Sequence, residues 1–126
     1  IGMGWYCNGR ASIVFGTHTH VPTADCEVLD KGTGFISDVG MTGPYNSILG
    51  RKKERVLKFM STAMPQKFDM ADGDPRMYAL LTAVVTTTRK AQSCELIRIN
   101  GSKNNDGPYD NDDYARTRNN NNKRRK

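Results

Sequence analysis

The chain has 126 residues, 37% of them hydrophobic, and a formal net charge of +6. This length allows one domain with a core, because a compact domain of this size buries roughly two-thirds of the surface that its unfolded chain exposes. No apolar run approaches the roughly eighteen residues that a membrane-spanning helix needs, and three scattered cysteines without a CxxC pair exclude a disulfide framework and a zinc ribbon.

Two further expectations follow from the cysteine content and from the first residues of the chain. With no paired cysteines and no secretory leader, we expect a reducing compartment, namely the cytoplasm or alternatively the mitochondrial matrix. The chain begins at Ile1, and the aromatic pair Trp5-Tyr6 follows almost at once, as if in the middle of an element. We therefore expect a fragment, a processed product or one piece of a split protein.

A helix and a strand are predicted at the start of the chain. Residues 1–10 are typical of a helix end that closes at Asn8-Gly9, where glycine supplies a left-handed cap. Residues 11–16 are a short apolar run, which is compatible with a buried strand. The polar sequence that follows this strand is therefore expected at the edge of a sheet.

The two histidines of the chain, His18 and His20, follow this predicted strand. If the segment is extended, residues i and i+2 point to the same side and their Cα atoms lie roughly 6.6 Å apart. Imidazole is the commonest metal-binding side chain, so this spacing indicates a metal site. A polar loop beside a strand is the alternative, because a complete site needs three or more protein ligands, and the others would have to be carboxylates, amides or groups from elsewhere.

The middle of the chain predicts a hairpin, a loop and an amphipathic helix. Residues 26–30 are predicted to pair with residues 34–38, and residues 41–50 form a loop punctuated by glycine. Within residues 52–63 apolar side chains recur three and four apart, so one face can be buried while the basic side chains stay in water. A nucleic-acid patch is the other interpretation of that basic face.

The second half of the chain is predicted to be rich in strands. Residues 66–71 alternate in polarity, residues 72–75 form a turn, and residues 78–88 and 94–99 are paired strands. Residues 101–126 are rich in asparagine and end in a basic cluster, so disorder is predicted there. The basic cluster either contacts nucleic acid or is simply solvated.

Several sequence blocks occur in an order that resembles a known family. They are GWYCNGRAS, GTHTHVPTAD, ISDVGMTGPYNSILG and MPQKFDMADGD. Together with the glycine-containing hairpin they resemble the C-terminal half of the YmdB-type metallophosphoesterases, which belong to the calcineurin-like phosphoesterases. The resemblance implies an α/β fold that is part of a metallophosphoesterase β-sandwich flanked by helices. Residues 1–100 would be the C-terminal portion of that domain, and residues 101–126 have no counterpart in it.

The same resemblance implies a functional site. The GTHTH block matches the final metal-binding motif of the family, so His18 and His20 would be ligands of a divalent metal pair, Mn, Fe, Zn or Mg. The residues that match family segments near the site are Thr17, Thr19, Asp38, Gly40, Thr42 and Gly43. Asp38 either orients a histidine ring, as carboxylates beside metal ligands do, or pairs with backbone at a strand end.

The chain departs from the family in its length. Family members are longer, and their N-terminal half supplies the other ligands and the histidine that protonates the leaving group, whereas none of those motifs occurs here. The expected partner is therefore that missing half or a complementing chain. A homo-oligomer and nucleic acid bound through the basic tail are further expectations, and no membrane association is expected.

Three functions remain open. The first is hydrolysis of cyclic nucleotides or related phosphodiesters by a metal-dependent assembly in which this chain supplies two metal-binding histidines. The second is a catalytically inactive relative that serves as a structural subunit of a larger assembly, such as one containing RNA, with its sheet edge covered by a partner. The third, a small nucleic-acid-binding domain, is disfavoured because aromatic residues are not interleaved with the basic ones.

Overall fold

The computed structural model describes residues 1–101, and the predicted disordered tail falls, apart from Gly101, outside the described residues. Within the described residues the fold is α/β, with one mixed sheet and one antiparallel sheet, as predicted. The helices are α1 (Gly2–Cys7) and α2 (Lys53–Thr62). The strands are β1 (Ile13–Phe15), β2 (Glu27–Val28), β3 (Gly34–Ile36), β4 (Gly43–Pro44), β5 (Pro75–Val84) and β6 (Ala91–Asn100).

The first sheet has the strand order β1-β3-β2. β1 and β3 run parallel, and β2 and β3 form the predicted antiparallel hairpin. Gly32 in the hairpin turn has φ +86°, a left-handed conformation that glycine adopts without a Cβ clash. Because parallel strands end at the same edge of a sheet, the segments that follow β1 and β3 leave it side by side.

The second sheet has the order β4-β5-β6 and is antiparallel throughout. The predicted strand pair in this half exists, but β5 begins at Pro75 and ends at Val84, earlier than the predicted run over residues 78–88. The threonines that extend this run lie in a turn, which is closed by bonds from Val85 N–H to Lys90 O (2.9 Å) and from Arg89 N–H to Val85 O (2.7 Å). The hydrogen bonds of the turn thus override the strand preference of β-branched residues.

The core surrounds β3, which is buried along its whole length. The buried hydrophobic side chains are Leu29, Phe35, Ile36, Val39 and Ala91. A Cβ on Gly34 would lie 3.2 Å from Thr82 Cγ2 and 3.3 Å from Cys94 Sγ, so the second sheet packs closely against this face of β3. On the opposite face, a Cβ on Gly4 of α1 would lie 2.5 Å from the Phe35 ring. Small residues therefore let both neighbours approach the central strand.

β1 is less buried than its apolar sequence predicts. It lies at one end of the first sheet, and within residues 1–101 no strand pairs with its outer edge. Ile13 is exposed, and Phe15 retains 62% of its accessible surface. The prediction of a buried strand is therefore wrong for these side chains, because Ile13 and Phe15 point to the same face of the sheet and residues 1–101 do not cover that face at β1.

Helix α2 forms as predicted, but its apolar face is not covered by the described residues. None of its residues is buried, and Leu57 and Met60 remain 56% and 72% exposed. The helix contacts the irregular segment that follows it, where the Phe59 and Phe68 rings meet edge to face with centroids 5.7 Å apart. The prediction that one face is buried is therefore wrong within residues 1–101.

Of the two helices in the described part of the chain, neither is long and apolar enough to cross a bilayer.

Gly16, which precedes the histidines, is the position where a side chain would disturb the first sheet most directly. A Cβ there would lie 2.2 Å from the carbonyl oxygen of Ser37, a backbone atom that can move only if β1 and β3 separate. We expect Gly16→Ala to lower the free energy of unfolding by about 2 kcal/mol or more, measured by urea denaturation. Gly2→Ala is the matched control, because nothing lies within 4 Å of a Cβ at that position, and it should change stability by less than about 0.5 kcal/mol. Equal effects of the two substitutions would contradict this prediction.

Candidate functional site

The histidine loop, defined as residues 17–20, leaves the first sheet directly after β1. Gly16 N–H donates to Ile36 O at 3.2 Å, and Val39 N–H donates to Gly16 O at 2.9 Å. These two bonds extend the contact between β1 and β3 beyond the ends of the strands. The loop therefore lies against the segment after β3, which contains Asp38.

The Asp38 carboxylate binds the backbone of the histidine loop. Its Oδ2 atom accepts hydrogen bonds from His18 N–H at 2.8 Å, from Thr19 N–H at 2.7 Å and from the Thr19 hydroxyl at 2.9 Å. Its Oδ1 atom accepts one from Gly40 N–H at 2.7 Å. The structure therefore agrees with the second interpretation of Asp38, in which the carboxylate pairs with backbone at a strand end.

Asp38 is ionised at neutral pH although only 3% of its surface is exposed. Burial by itself would raise the pKa of Asp38, because it removes water from the charged form. Hydrogen bonds from Thr19, Gly40 and His18 outweigh burial and lower the pKa from 3.8 to about 2. The loop is thus anchored by a full negative charge that meets several donors.

The conformation of the histidine loop differs from the predicted extended segment. β1 ends at Phe15, the chain bends at residues 18–20, and His20 has a left-handed φ of +65°. The physical reason is Asp38, because one carboxylate oxygen reaches two successive N–H groups only if the chain curls around it. The predicted extended geometry is therefore wrong, and the alternation of strand side chains does not apply to His18 and His20. Both histidines are exposed, so a ligand can reach them from solvent.

A second carboxylate, that of the partly buried Asp25, supports the loop after β3. Thr23 Oγ1 donates to Asp25 Oδ1 and accepts a hydrogen bond from Asp38 N–H at 2.9 Å. Ser37 N–H donates to the same Asp25 oxygen at 3.1 Å. Burial by itself would raise the pKa of Asp25, but hydrogen bonds from Ser37 and Thr23 lower it from 3.8 to about 2. The two aspartates therefore hold neighbouring backbone segments through one connected set of bonds.

An open cleft of about 530 Å³ lies beside the histidine loop, and His20 forms part of its wall. Thr42 and Gly43, which were predicted to lie near the site, also line the cleft, whereas Thr17 is exposed on the loop. The rest of the wall is formed by Met41, Pro44, residues 49–51 and residues 68–70. The structure thus brings one histidine and two of the predicted neighbours to a common surface.

The part of the cleft wall formed by residues 49–51 and 68–70 was missed by sequence reasoning. The Arg51 guanidinium carbon lies 4.9 Å from the centroid of the Phe68 ring. Lys52 N–H donates to Asp69 O at 3.0 Å, and Ala71 N–H donates to Gly50 O at 2.9 Å. The only signal in the sequence was the alternation over residues 66–71, which does not reveal that this segment pairs with the end of the preceding loop.

Tyr45 is a second residue that sequence reasoning missed. Its hydroxyl accepts a hydrogen bond from Met41 N–H at 3.2 Å and lies 3.1 Å from Met41 O and 3.5 Å from His20 O. Gly40, which has φ +93°, makes this approach possible, because a Cβ there would lie 3.0 Å from Pro22 Cδ and 3.1 Å from the Tyr45 hydroxyl oxygen. Gly40 therefore shapes the wall of the site and provides no ligand side chain.

The described residues include side chains of a type that binds metals, but too few of them for a complete metal centre. The two imidazoles are donors that suit zinc, iron and related ions. Within residues 1–101, however, no group of three or more His, Cys, Asp or Glu side chains could hold a metal ion. Because catalytic zinc sites take three protein ligands, such a centre here would need ligands from outside the described residues.

Asp38→Asn tests the anchor of the histidine loop. The asparagine amide has an NH2 group in place of one carboxylate oxygen. This NH2 group is a hydrogen-bond donor and would face backbone N–H groups, which are donors as well. We expect a loss of about 3 kcal/mol in the free energy of unfolding. Amide hydrogen exchange at His18 and Thr19 should become faster. Glu27→Gln on the exposed side of β2 is the control, and unchanged exchange in Asp38→Asn would contradict the assignment.

The low pKa of Asp25 predicts acid lability. A carboxyl whose pKa is lower in the folded state stabilises the fold fully above its unfolded pKa, and this contribution disappears as the pH falls toward the folded value. We expect the thermal unfolding midpoint to fall as the pH is lowered from about 5 to about 2, and to fall less steeply in Asp25→Asn. Identical pH profiles for the two chains would show that Asp25 does not contribute.

The comparisons with known proteins agree with this architecture. Residues 1–97 match the family described as YmdB-like protein. Over 100 residues the chain is 47% identical to the 2',3'-cyclic-nucleotide 2'-phosphodiesterase of Bacillus subtilis (strain 168), in an alignment that covers 79% of this chain and 38% of that protein.

Two solved structures are also similar to the chain. A hypothetical protein from Thermus thermophilus superposes with a TM-score of 0.75 at 39% identity, covering 80% of this chain and 39% of that one. A phosphatase from Mycoplasma pneumoniae superposes with a TM-score of 0.76 at 30% identity, covering 82% and 37%. The chain thus spans less than half the length of each of these relatives. Since the family match extends over residues 1–97 of 126, the resemblance inferred from the sequence blocks is confirmed, and the chain belongs to the YmdB-like protein family.

Proposed function

We propose that this chain is one part of a metal-dependent phosphodiesterase that acts on cyclic nucleotides or related diesters, and that His18 and His20 bind a metal of its centre. The main support for the proposal is the histidine loop. Its two imidazoles are exposed, and the buried Asp38 carboxylate binds its backbone where β1 and β3 end. Rigid support of this kind favours metal binding, because ligands held in place lose little freedom when they coordinate.

The relatives support the class of reaction. The Bacillus subtilis relative is named a 2',3'-cyclic-nucleotide 2'-phosphodiesterase, and the Mycoplasma pneumoniae structure is described as a phosphatase. Both names describe hydrolysis at a phosphoryl centre. The cyclic nucleotide as substrate is supported by the first of these names alone.

In this proposal the residues of the chain bind the metal and orient the side chains that hold it. Asp38 fixes the backbone of the histidine loop, and the imidazoles of His18 and His20 offer nitrogen donors to a metal. When bound, a divalent pair of Mn, Fe, Zn or Mg ions would supply an activated water and stabilise the attacking and leaving oxygens of the diester. Two histidines cannot complete such a pair, so the remaining ligands and the proton donor for the leaving group would come from outside residues 1–101.

The exposed apolar surface supports the need for a further segment or partner chain. Leu57 and Met60 on α2 are exposed, as is Phe15 on the open edge strand β1. Exposed apolar patches and unpaired strand edges are surfaces that proteins usually cover. We propose that the part of a YmdB-like protein that this chain does not span covers them and brings the missing ligands to the histidine loop.

A chimera tests this proposal. Residues 1–100 would replace the matching segment of the Bacillus subtilis relative, which supplies the rest of the protein. Hydrolysis of a 2',3'-cyclic nucleotide and metal content would then be measured. We expect an active chimera that contains metal, and a loss of activity of more than about 100-fold together with reduced metal content in His18→Ala and in His20→Ala. Glu27→Gln is the control, because this exposed side chain on β2 lies outside the proposed site.

The outcomes separate this proposal from its alternative. If both histidine variants keep the metal and the activity of the unchanged chimera, the ligand assignment is wrong. A folded chimera that binds no metal and hydrolyses nothing, while the intact relative remains active, would favour the structural subunit. The specific observation that favours this second function is that no metal-binding group of three side chains exists within residues 1–101.

A further inference from the structure

Cys26 and Cys94 form a pair of thiols between the two sheets, which we name the cysteine pair. Their Sγ atoms lie 3.6 Å apart although the residues are 68 positions apart in the sequence. The third cysteine, Cys7, lies apart from this pair and contacts Met3 Sδ at 3.8 Å. All three thiols are free and partly buried.

The position of the cysteine pair is fixed by the packing of the sheets. Ala91 N–H at the start of β6 donates to Gly32 O in the β2–β3 turn at 2.8 Å, which ties the two hairpins together. Cys94 pairs with Thr82 across β5 and β6, and its Sγ atom lies 3.6 Å from Thr82 Oγ1. A Cβ on Gly34 would lie 3.3 Å from Cys94 Sγ, so the glycine leaves the room that this thiol occupies. The contact between the two sulfurs thus follows from the fold.

We propose that the cysteine pair is a redox modification site, at which a small-molecule disulfide such as oxidised glutathione links Cys26 to Cys94 and joins the two sheets covalently. The sulfur atoms of a disulfide lie about 2.0 Å apart, so these sulfurs must approach by about 1.6 Å. Neither thiol has a role in the proposed phosphodiesterase site, so this inference stands independently of it.

The proposed reaction is thiol–disulfide exchange in two steps. One protein thiol loses its proton to solvent and attacks a sulfur of the small disulfide, which forms a mixed disulfide and releases one small thiol. The other protein thiol then loses its proton and attacks the protein sulfur of the mixed disulfide, which releases the second small thiol. Two protein thiols are oxidised and one small disulfide is reduced to two thiols, so atoms and electrons balance.

The surroundings of Cys26 affect how fast this thiol attacks a disulfide. Burial raises the pKa of Cys26 to about 11, with further contributions from the hydrogen bond and the charge of Cys94. A thiol attacks as its thiolate, so attack by Cys26 should be slow at neutral pH and faster as the pH rises.

The test uses the full reduced chain, incubated with oxidised glutathione at mildly alkaline pH and analysed by intact mass and by peptide mapping. We expect the chain and its Cys7→Ser variant to yield a peptide that links Cys26 to Cys94, and the Cys7→Ser variant, which has no third thiol, to lose the mass of two hydrogens. Cys26→Ser and Cys94→Ser should instead gain a glutathione adduct on the remaining member of the pair. The linked chain should unfold at a temperature higher by about 5 °C or more.

The same incubation in denaturant is the reference experiment, because the unfolded chain does not hold Cys26 next to Cys94. There the links of Cys7 with Cys26 and with Cys94 should appear alongside the Cys26–Cys94 link. Separate glutathione adducts on Cys26 and Cys94 in the native chain would overturn the proposal. A native mixture of links equal to that formed in denaturant would overturn it as well.

Discussion

The structure around the candidate site depends on one interaction, the contact of the buried Asp38 carboxylate with the backbone of the histidine loop. A charged group with 3% exposure is tolerated in a fold when donors replace the water that it has lost, and the N–H groups of His18, Thr19 and Gly40 do so here. The same bonds force the loop to curl. The position of both histidines is therefore a consequence of where one carboxylate is buried.

This anchor can form because β1 and β3 are parallel neighbours. Their carboxyl ends meet at one edge, so residues some twenty positions apart, such as His18 and Asp38, become adjacent. Asp25 and Thr23 extend the set of bonds toward the β2–β3 hairpin. The site is consequently built on strand ends and buried hydrogen bonds, which is the kind of support that a binding group needs to keep its geometry.

The rest of the surface includes apolar side chains that residues 1–101 leave uncovered. Within residues 1–101 the core holds five buried hydrophobic side chains, while the apolar side chains of α2 and the outer edge of β1 stay in contact with solvent. The relatives are more than twice as long as the segments that match this chain. In the proposed function, the metal ligands that residues 1–101 lack and the uncovered apolar surface have the same explanation, namely a further part of a YmdB-like protein that packs here.

The sequence by itself determined the family and the kinds of element, because ordered blocks such as GTHTH and ISDVGMTGPYNS and the periodicity of residues 52–63 are local properties of the chain. It also singled out His18, His20 and Asp38. Only the tertiary structure decided that Asp38 binds loop backbone, that Phe68 and Arg51 line the same cleft as His20, and that Cys26 meets Cys94. Each of these contacts joins segments far apart in the chain, and their geometry comes from sheet order and from which polar groups are buried together, neither of which a local pattern encodes.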